Sequence, residues 1–346
     1  MTDNYRMRLY GKENMKLEKD CQRPTPTQGD VQVKVHYVGV CGTDIHMWQH
    51  GELGGVDLEF PIVLGHEASG SITCVGDGVT RLSVGDHVAL DPIIPCRKCR
   101  NCLSGKYNIC LEHIVKGCWI DGYLQRFVVM SESNCHVLPN TIPLDIGPLV
   151  EPLSVTVRAC ERGQVAIGDV VVVCGSGTIG LLMMQTVKAA GAKFVCVTDI
   201  SRERLAMAAC LGADHTLDVT NMDPKEVAKQ VEHKLGSQAD ISFECVGKDD
   251  SIATAIHATR SGGRAVLVGV PSGLSRVPID DAVLREIDLI TSLAHKDCVP
   301  KSISLIEQGK VKVADLITHR YGLNEVETAY RNVRAGAGVK SLICLE

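Results

Sequence analysis

The chain is poor in aromatic residues: of 346 positions only two are Trp, four Phe and seven Tyr, 4% in all. A core built on stacked rings is excluded, so Val, Ile, Leu, Ala and Met must fill it. No stretch approaches the roughly eighteen consecutive apolar residues of a membrane span. There is no extended basic tract either, and the net charge is −5. Nucleic acid or an anionic membrane as main partner is therefore not expected. Met1-Thr2-Asp3-Asn4-Tyr5-Arg6 lacks the apolar centre of a secretory signal, so the expected compartment is the cytoplasm. Repeats, low-complexity tracts and long linkers are also missing.

Cysteine, by contrast, is plentiful, with sixteen residues. Most sit singly in apolar runs (Cys174, Cys196, Cys245, Cys344), where a small buried hydrophobe is the ordinary role. Four do not. Cys96, Cys99, Cys102 and Cys110 are spaced C-x2-C-x2-C-x7-C within a stretch containing Pro92, Pro95, Arg97, Lys98 and Arg100. Two-residue gaps place neighbouring sulfurs on one side of a tight turn, where four thiolates close a tetrahedron around Zn²⁺. The basic residues among them favour the thiolate forms that bind metal. Two disulfides are the alternative, but this close spacing in a cytosolic chain points to metal. A closed four-sulfur site leaves no position for substrate, so its role is structural.

The chain is long enough for two domains. Residues 1–150 read as short strands broken by Gly and Pro. Val31 to Val40 alternates as a half-buried strand, and Ile62–Val75 and Gly85–Leu90 are further candidates. This half is expected to be an all-β, barrel-like unit. After Glu151, apolar strands alternate with helices: Val170–Cys174, Phe194–Thr198, His215–Val219, Ile241–Cys245 and Arg264–Gly269. One helix opens at Asp223-Pro224, with Asp223 as cap, Pro224 in the first turn and Glu226 reaching back. Strands buried on both faces and joined by helices predict a doubly wound parallel sheet over 151–291. Residues 292–346, ending in a helix near Asn324–Val333 and a strand Lys340–Cys344, are expected to return to the first domain.

Val170–Cys174 runs into Gly175-Ser176-Gly177-Thr178-Ile179-Gly180 and an apolar helix. Such a motif alone is weak. Here it follows a strand, opens a helix, and is answered by Asp199 at the end of the next strand, the dinucleotide fingerprint. Gly175 allows the tight turn, Gly177 lets backbone approach the pyrophosphate, and Gly180 brings helix and strand together. Helix-terminal N–H groups then face the phosphates. An acid at Asp199 suits the ribose hydroxyls and repels a 2′-phosphate, which favours NAD; Arg202 and Arg204 keep NADP open.

Cys41-Gly42-Thr43-Asp44-Ile45-His46 and Gly65-His66-Glu67-Ala68-Ser69-Gly70 are each weak signals by themselves. With Gly76, Val79, the four-cysteine lobe and the Gly-rich turn, they resemble the zinc-containing medium-chain alcohol dehydrogenases over nearly the whole chain. Within that family Glu151-Pro152-Leu153-Ser154-Val155, Ala258-Thr259-Arg260-Ser261-Gly262-Gly263 and Leu316-Ile317-Thr318-His319-Arg320 are most similar to the sorbitol (polyol) dehydrogenases. The resemblance implies a two-domain α/β fold: a GroES-like β-barrel catalytic domain with its structural zinc lobe, and a Rossmann domain. It implies two Zn²⁺ per chain and NAD. A catalytic zinc would be held by Cys41, His66 and Glu67 plus water, with Glu151 beside it, directly or through water. The dinucleotide would be contacted by Ile179, Asp199, Arg204 and Val268-Gly269-Val270. Thr43 would hydrogen-bond the alcohol and His46 relay its proton.

The implied activity is reversible hydride transfer between NAD and a secondary alcohol carbon of a polyol such as sorbitol or xylitol. By resemblance alone, the assembly expected is a homotetramer. Three positions depart from the polyol pattern: Met47 stands where an aromatic is expected, and Ala294-His295 where an Arg-Tyr pair is. His295 or Lys296 would have to replace the lost donors. The same chemistry on L-threonine or a vicinal diol is the enzymatic alternative. A zinc- and redox-responsive binding protein is the non-enzymatic one.

Overall fold

A computed structural model describes residues 4–112 and 114–345. The chain forms two compact units, one running to Glu151 and resuming at Val313, the other Pro152–Lys312. The return therefore lies at Val313, later than the expected residue 292. Helix Val299–Glu307 is what delays it: the Ser154 hydroxyl donates to Ser302 at 2.9 Å, and the Lys312 N–H to Gln185 Oε1 at 2.7 Å. Both bonds tie this segment to the second unit.

In the first unit Val31, Val33 and Val35 are fully buried, as their alternation requires. Their strand, Asp30–Gly39, lies centrally in a sheet ordered Cys135–Val137, His87–Leu90, Glu67–Val75, Asp30–Gly39, Lys340–Cys344 and Ile317–Gly322. Phe127–Ser131 pairs with it as well. The strand expected from Ile62 begins only at Glu67. Residues 62–65 spend their backbone hydrogen bonds elsewhere: Ile62 pairs with Leu9, and Val63, Leu64 and Gly65 accept from Gly122, Leu124 and Tyr123. Gly65, at φ 89°, turns the chain there. The terminal strand Lys340–Cys344 runs antiparallel to Asp30–Gly39, with Leu342 opposite Gly39.

The second unit holds a six-stranded sheet ordered His215–Asp218, Phe194–Asp199, Val170–Cys174, Ala239–Glu244, Thr259–Leu267 and Asp288–Thr291. All five pairings are parallel. Chain order reverses beside Val170–Cys174, the switch point where such sheets bind ligands beyond their strand ends. Val171, Val172 and Val173 are fully buried, which is why they read as one apolar run. Asp223 caps helix Pro224–Leu235, accepting from the Lys225 N–H at 2.9 Å. Glu226 does not reach back; its carboxylate accepts from Gln230 at 3.2 Å.

Candidate functional site

Three side chains from two segments of the first unit converge. Cys41 is the N-cap of helix Gly42–His50, and Glu67 opens strand Glu67–Val75 directly after His66. One ligand atom each of Cys41, His66 and Glu67 lie within 4.8 Å of one another. His66 is buried; desolvation works against its charge, but Asp44 and Cys41 outweigh that and raise its pKa well above the ordinary range. A pocket that stabilises positive charge on a buried imidazole is suited to a cation. Sulfur, nitrogen and oxygen donors, three in number, are the set of a zinc site that keeps one position open. The donors present therefore fit the ion.

Two residues that the sequence reading left without a role organise these donors. Asp44 is fully buried. It accepts from the Cys41 N–H at 2.9 Å and the Gly65 N–H at 3.3 Å, and its Oδ1 stands 3.2 Å from His66 Nδ1. One carboxylate thus fixes both ligand-bearing segments and orients the imidazole. Lys340, also buried, donates to Glu67 Oε2 at 2.5 Å and to the Val40 carbonyl at 3.0 Å. Burial disfavours its charge, yet Glu67 and Cys41 hold its pKa above the usual lysine value. A lysine heading the strand Lys340–Cys344 was its only trace in the sequence.

The four-cysteine lobe forms a second group, all four thiols being free. Cys96 and Cys102 sulfurs are 4.0 Å apart, and those of Cys99 and Cys110 3.9 Å. A disulfide needs about 2 Å, whereas the edge of a zinc–sulfur tetrahedron is about 3.8 Å. The Cys99 thiol is pulled down to about 6, chiefly by the backbone N–H groups of Leu111 and Cys102. Backbone rather than basic side chains supplies this bias: Arg97 donates to Ser133, and Lys98 pairs with Glu112 at 3.3 Å.

In the second unit the Gly-rich turn has three different glycines. Gly175 sits at φ 99°, and its N–H donates to the Thr198 carbonyl at 2.7 Å. At Gly180 a Cβ would meet the Gly175 carbonyl oxygen at 1.9 Å. Gly177 needs neither conformation nor space: its φ is −70° and a Cβ would meet nothing within 4 Å. It opens helix Thr178–Ala190 without a side-chain cap. That open cradle at a helix N-terminus fits a pyrophosphate. Asp199 ends the next strand, its carboxylate accepting from Ser176 N–H at 2.5 Å and Ser201 N–H at 2.8 Å.

Residues 27–140 match the alcohol dehydrogenase GroES-like domain, and residues 178–308 match the zinc-binding dehydrogenase domain. The sorbitol dehydrogenase of Bos taurus is 40% identical over 344 residues, 99% of this chain and 96% of that protein. Among solved structures, galactitol-1-phosphate dehydrogenase of Escherichia coli superposes with a TM-score of 0.90 at 27% identity, covering 99% of this chain and 100% of that one. L-idonate 5-dehydrogenase of Escherichia coli does so with a TM-score of 0.90 at 25% identity, covering 99% and 98%. The chain belongs to the zinc-binding medium-chain dehydrogenases, close to sorbitol dehydrogenase.

As such it is an oxidoreductase of the alcohol dehydrogenase type. Its remaining expected site residues are placed as follows. Thr43 lies in the first turn of helix Gly42–His50, and His46 one turn on, its Nε2 2.6 Å from Glu52 Oε1. Glu151 lies in the first turn of helix Val150–Gly163 and is not among the donors that meet within 4.8 Å. It belongs to the same neighbourhood: the buried Tyr123 phenol, raised first by desolvation, also feels Asp91, His66 and Glu151. Met47 is fully buried in the core of the first unit. His295 is equally buried in the second, and Lys296 is 3.3 Å from Asp297. In the dehydrogenase's dinucleotide unit, Arg202 is committed to Asp218 at 2.9 Å, while Ile179, Arg204, Val268 and Gly269 are half-buried and Val270 exposed.

Proposed function

We propose that this dehydrogenase oxidises a secondary alcohol carbon of a polyol to the ketose, reversibly, with NAD as partner. The observation that carries the proposal is the meeting of Cys41, His66 and Glu67 in a chain 40% identical to a sorbitol dehydrogenase along 99% of its length. When bound, zinc supplies Lewis acidity to an alcohol oxygen and the nicotinamide accepts hydride. The protein's own part is to place and deprotonate the substrate. Thr43 Oγ1 accepts a hydrogen bond from the substrate hydroxyl and, as that proton moves onto it, gives up its own, and His46, with Glu52 against its Nε2, passes a proton on to solvent. Glu151, outside the direct ligand set, acts through water. Gly175, Gly177, Ile179, Gly180, Arg204 and Val268-Gly269-Val270 seat the dinucleotide, and Asp199 selects NAD over NADP. Cys96, Cys99, Cys102 and Cys110 hold the structural zinc.

The enzyme is further proposed to work in the cytoplasm as a homotetramer. Free thiols throughout the described residues suit a reducing compartment. Asp288–Thr291 is an edge strand with exposed Leu289, near exposed Val283 and Leu284, an apolar face suited to a second copy. A panel of polyols, vicinal diols and L-threonine, each with NAD and NADP and followed by cofactor absorbance, tests the activity. Turnover confined to L-threonine or to diols contradicts it.

A further inference from the structure

Lys340 opens an apolar strand, yet it is only 2% exposed. An ammonium group at that depth must be paired. Its two acceptors are Glu67 Oε2 and the Val40 carbonyl. Sheet register explains the meeting. Gly39 stands opposite Glu67 on one side and Leu342 on the other. Only glycine there leaves room for the carboxylate, since a Cβ would lie 2.2 Å from Glu67 Oε2. A long cationic side chain two residues before Leu342 then spans to the carboxylate. An apolar side chain of the same length would leave Glu67 buried without a counter-charge.

We infer that Lys340 is a positioning residue of the metal centre: it holds Glu67 by one oxygen, leaving the other for the ion, and offsets negative charge gathered by Glu67 and Cys41. This rests on the reading that Cys41, His66 and Glu67 hold a metal. A centre with Lys340 carries one more positive charge than the same centre without it. It therefore attracts an alcohol oxygen more strongly and grips the ion less tightly.

The test uses the full chain as wild type, Lys340→Met, Glu67→Gln and the double variant. Zinc release to a chromophoric chelator is followed alongside urea unfolding of metal-free and zinc-loaded samples, with the four-cysteine lobe as internal reference. In Lys340→Met, zinc should leave the Cys41 centre at least about tenfold more slowly, because an opposing charge has gone. Added zinc should also raise its unfolding midpoint more than in wild type, while kcat falls. In the Glu67→Gln background, Lys340→Met should slow release by a smaller factor, because the part that acts through Glu67 is already gone. Release as fast as wild type, or a stability loss equal with and without zinc, overturns the inference. Should Lys340→Met fail to fold, the double variant, which buries neither charge, must recover the fold; if it does not, the inference also falls. Wild-type protein holding only the lobe's zinc overturns the metal reading itself, and this inference with it.

Discussion

Replacing Asp44 separates two roles of one side chain. Asp44→Ala strips the acceptor from the N–H groups of Cys41 and Gly65, which sit 2.9 and 3.3 Å away in the interior. Each unpaired buried N–H costs about 1–3 kcal/mol, so the loss comes to about 2–6 kcal/mol. That is a large part of the roughly 5–15 kcal/mol that holds a typical fold. Asp44→Asn keeps one carbonyl acceptor and should cost about half as much. It still removes the negative charge 3.2 Å from His66 Nδ1. Losing such an outer partner lowers metal affinity roughly 10–100-fold, or about 1.4–2.7 kcal/mol. Chelator competition on Asp44→Asn reads the metal term, and urea unfolding of both variants reads the packing term. The lobe zinc should be unmoved. Unchanged zinc affinity at the Cys41 centre, or equal loss at both centres, would refute the reasoning.

Four further outcomes follow from the geometry. Cys110→Ser should remove the lobe's zinc alone and lower the melting temperature by at least about 5 °C, measured by metal analysis and calorimetry. Gly180→Ala forces a Cβ to within 1.9 Å of a carbonyl oxygen and should destabilise by about 1–3 kcal/mol. Gly177→Ala meets nothing within 4 Å; it should leave urea stability within about 0.5 kcal/mol of wild type while weakening NAD in a calorimetric titration. Asp199→Ala should narrow the NAD-over-NADP ratio of kcat/KM roughly tenfold to hundredfold, because hydrogen bonds to a charged group are worth about 1.5–3 kcal/mol each.

Features encoded by adjacent residues were legible in the chain, and features encoded by pairing were not. Val170–Cys174 and Lys340–Cys344 form at their expected bounds, the first because a run of four valines leaves little choice. The spacing of Cys96, Cys99, Cys102 and Cys110 brought four sulfurs together without reference to the rest of the fold. Asp44 and Lys340 escaped notice for the opposite reason. Asp44 gains its role when residue 65 folds back on it, and Lys340 only once strands 39, 67 and 342 are in register. The segment from Ile62 looked like a continuous strand until its hydrogen bonds were claimed by Leu9 and residues 122–124. Met47 and His295, weighed as substrate contacts, lie buried without exposure, which neither residue type announces.

Zinc content of the purified wild type and of His66→Ala, taken together with NAD titration, tests the central claim most directly. Two donor groups lie among the described residues. The account therefore requires two ions per wild-type chain, one in the variant, abolished polyol turnover, and NAD binding unchanged. A variant that keeps both ions, or that turns over polyol like the wild type, would contradict it.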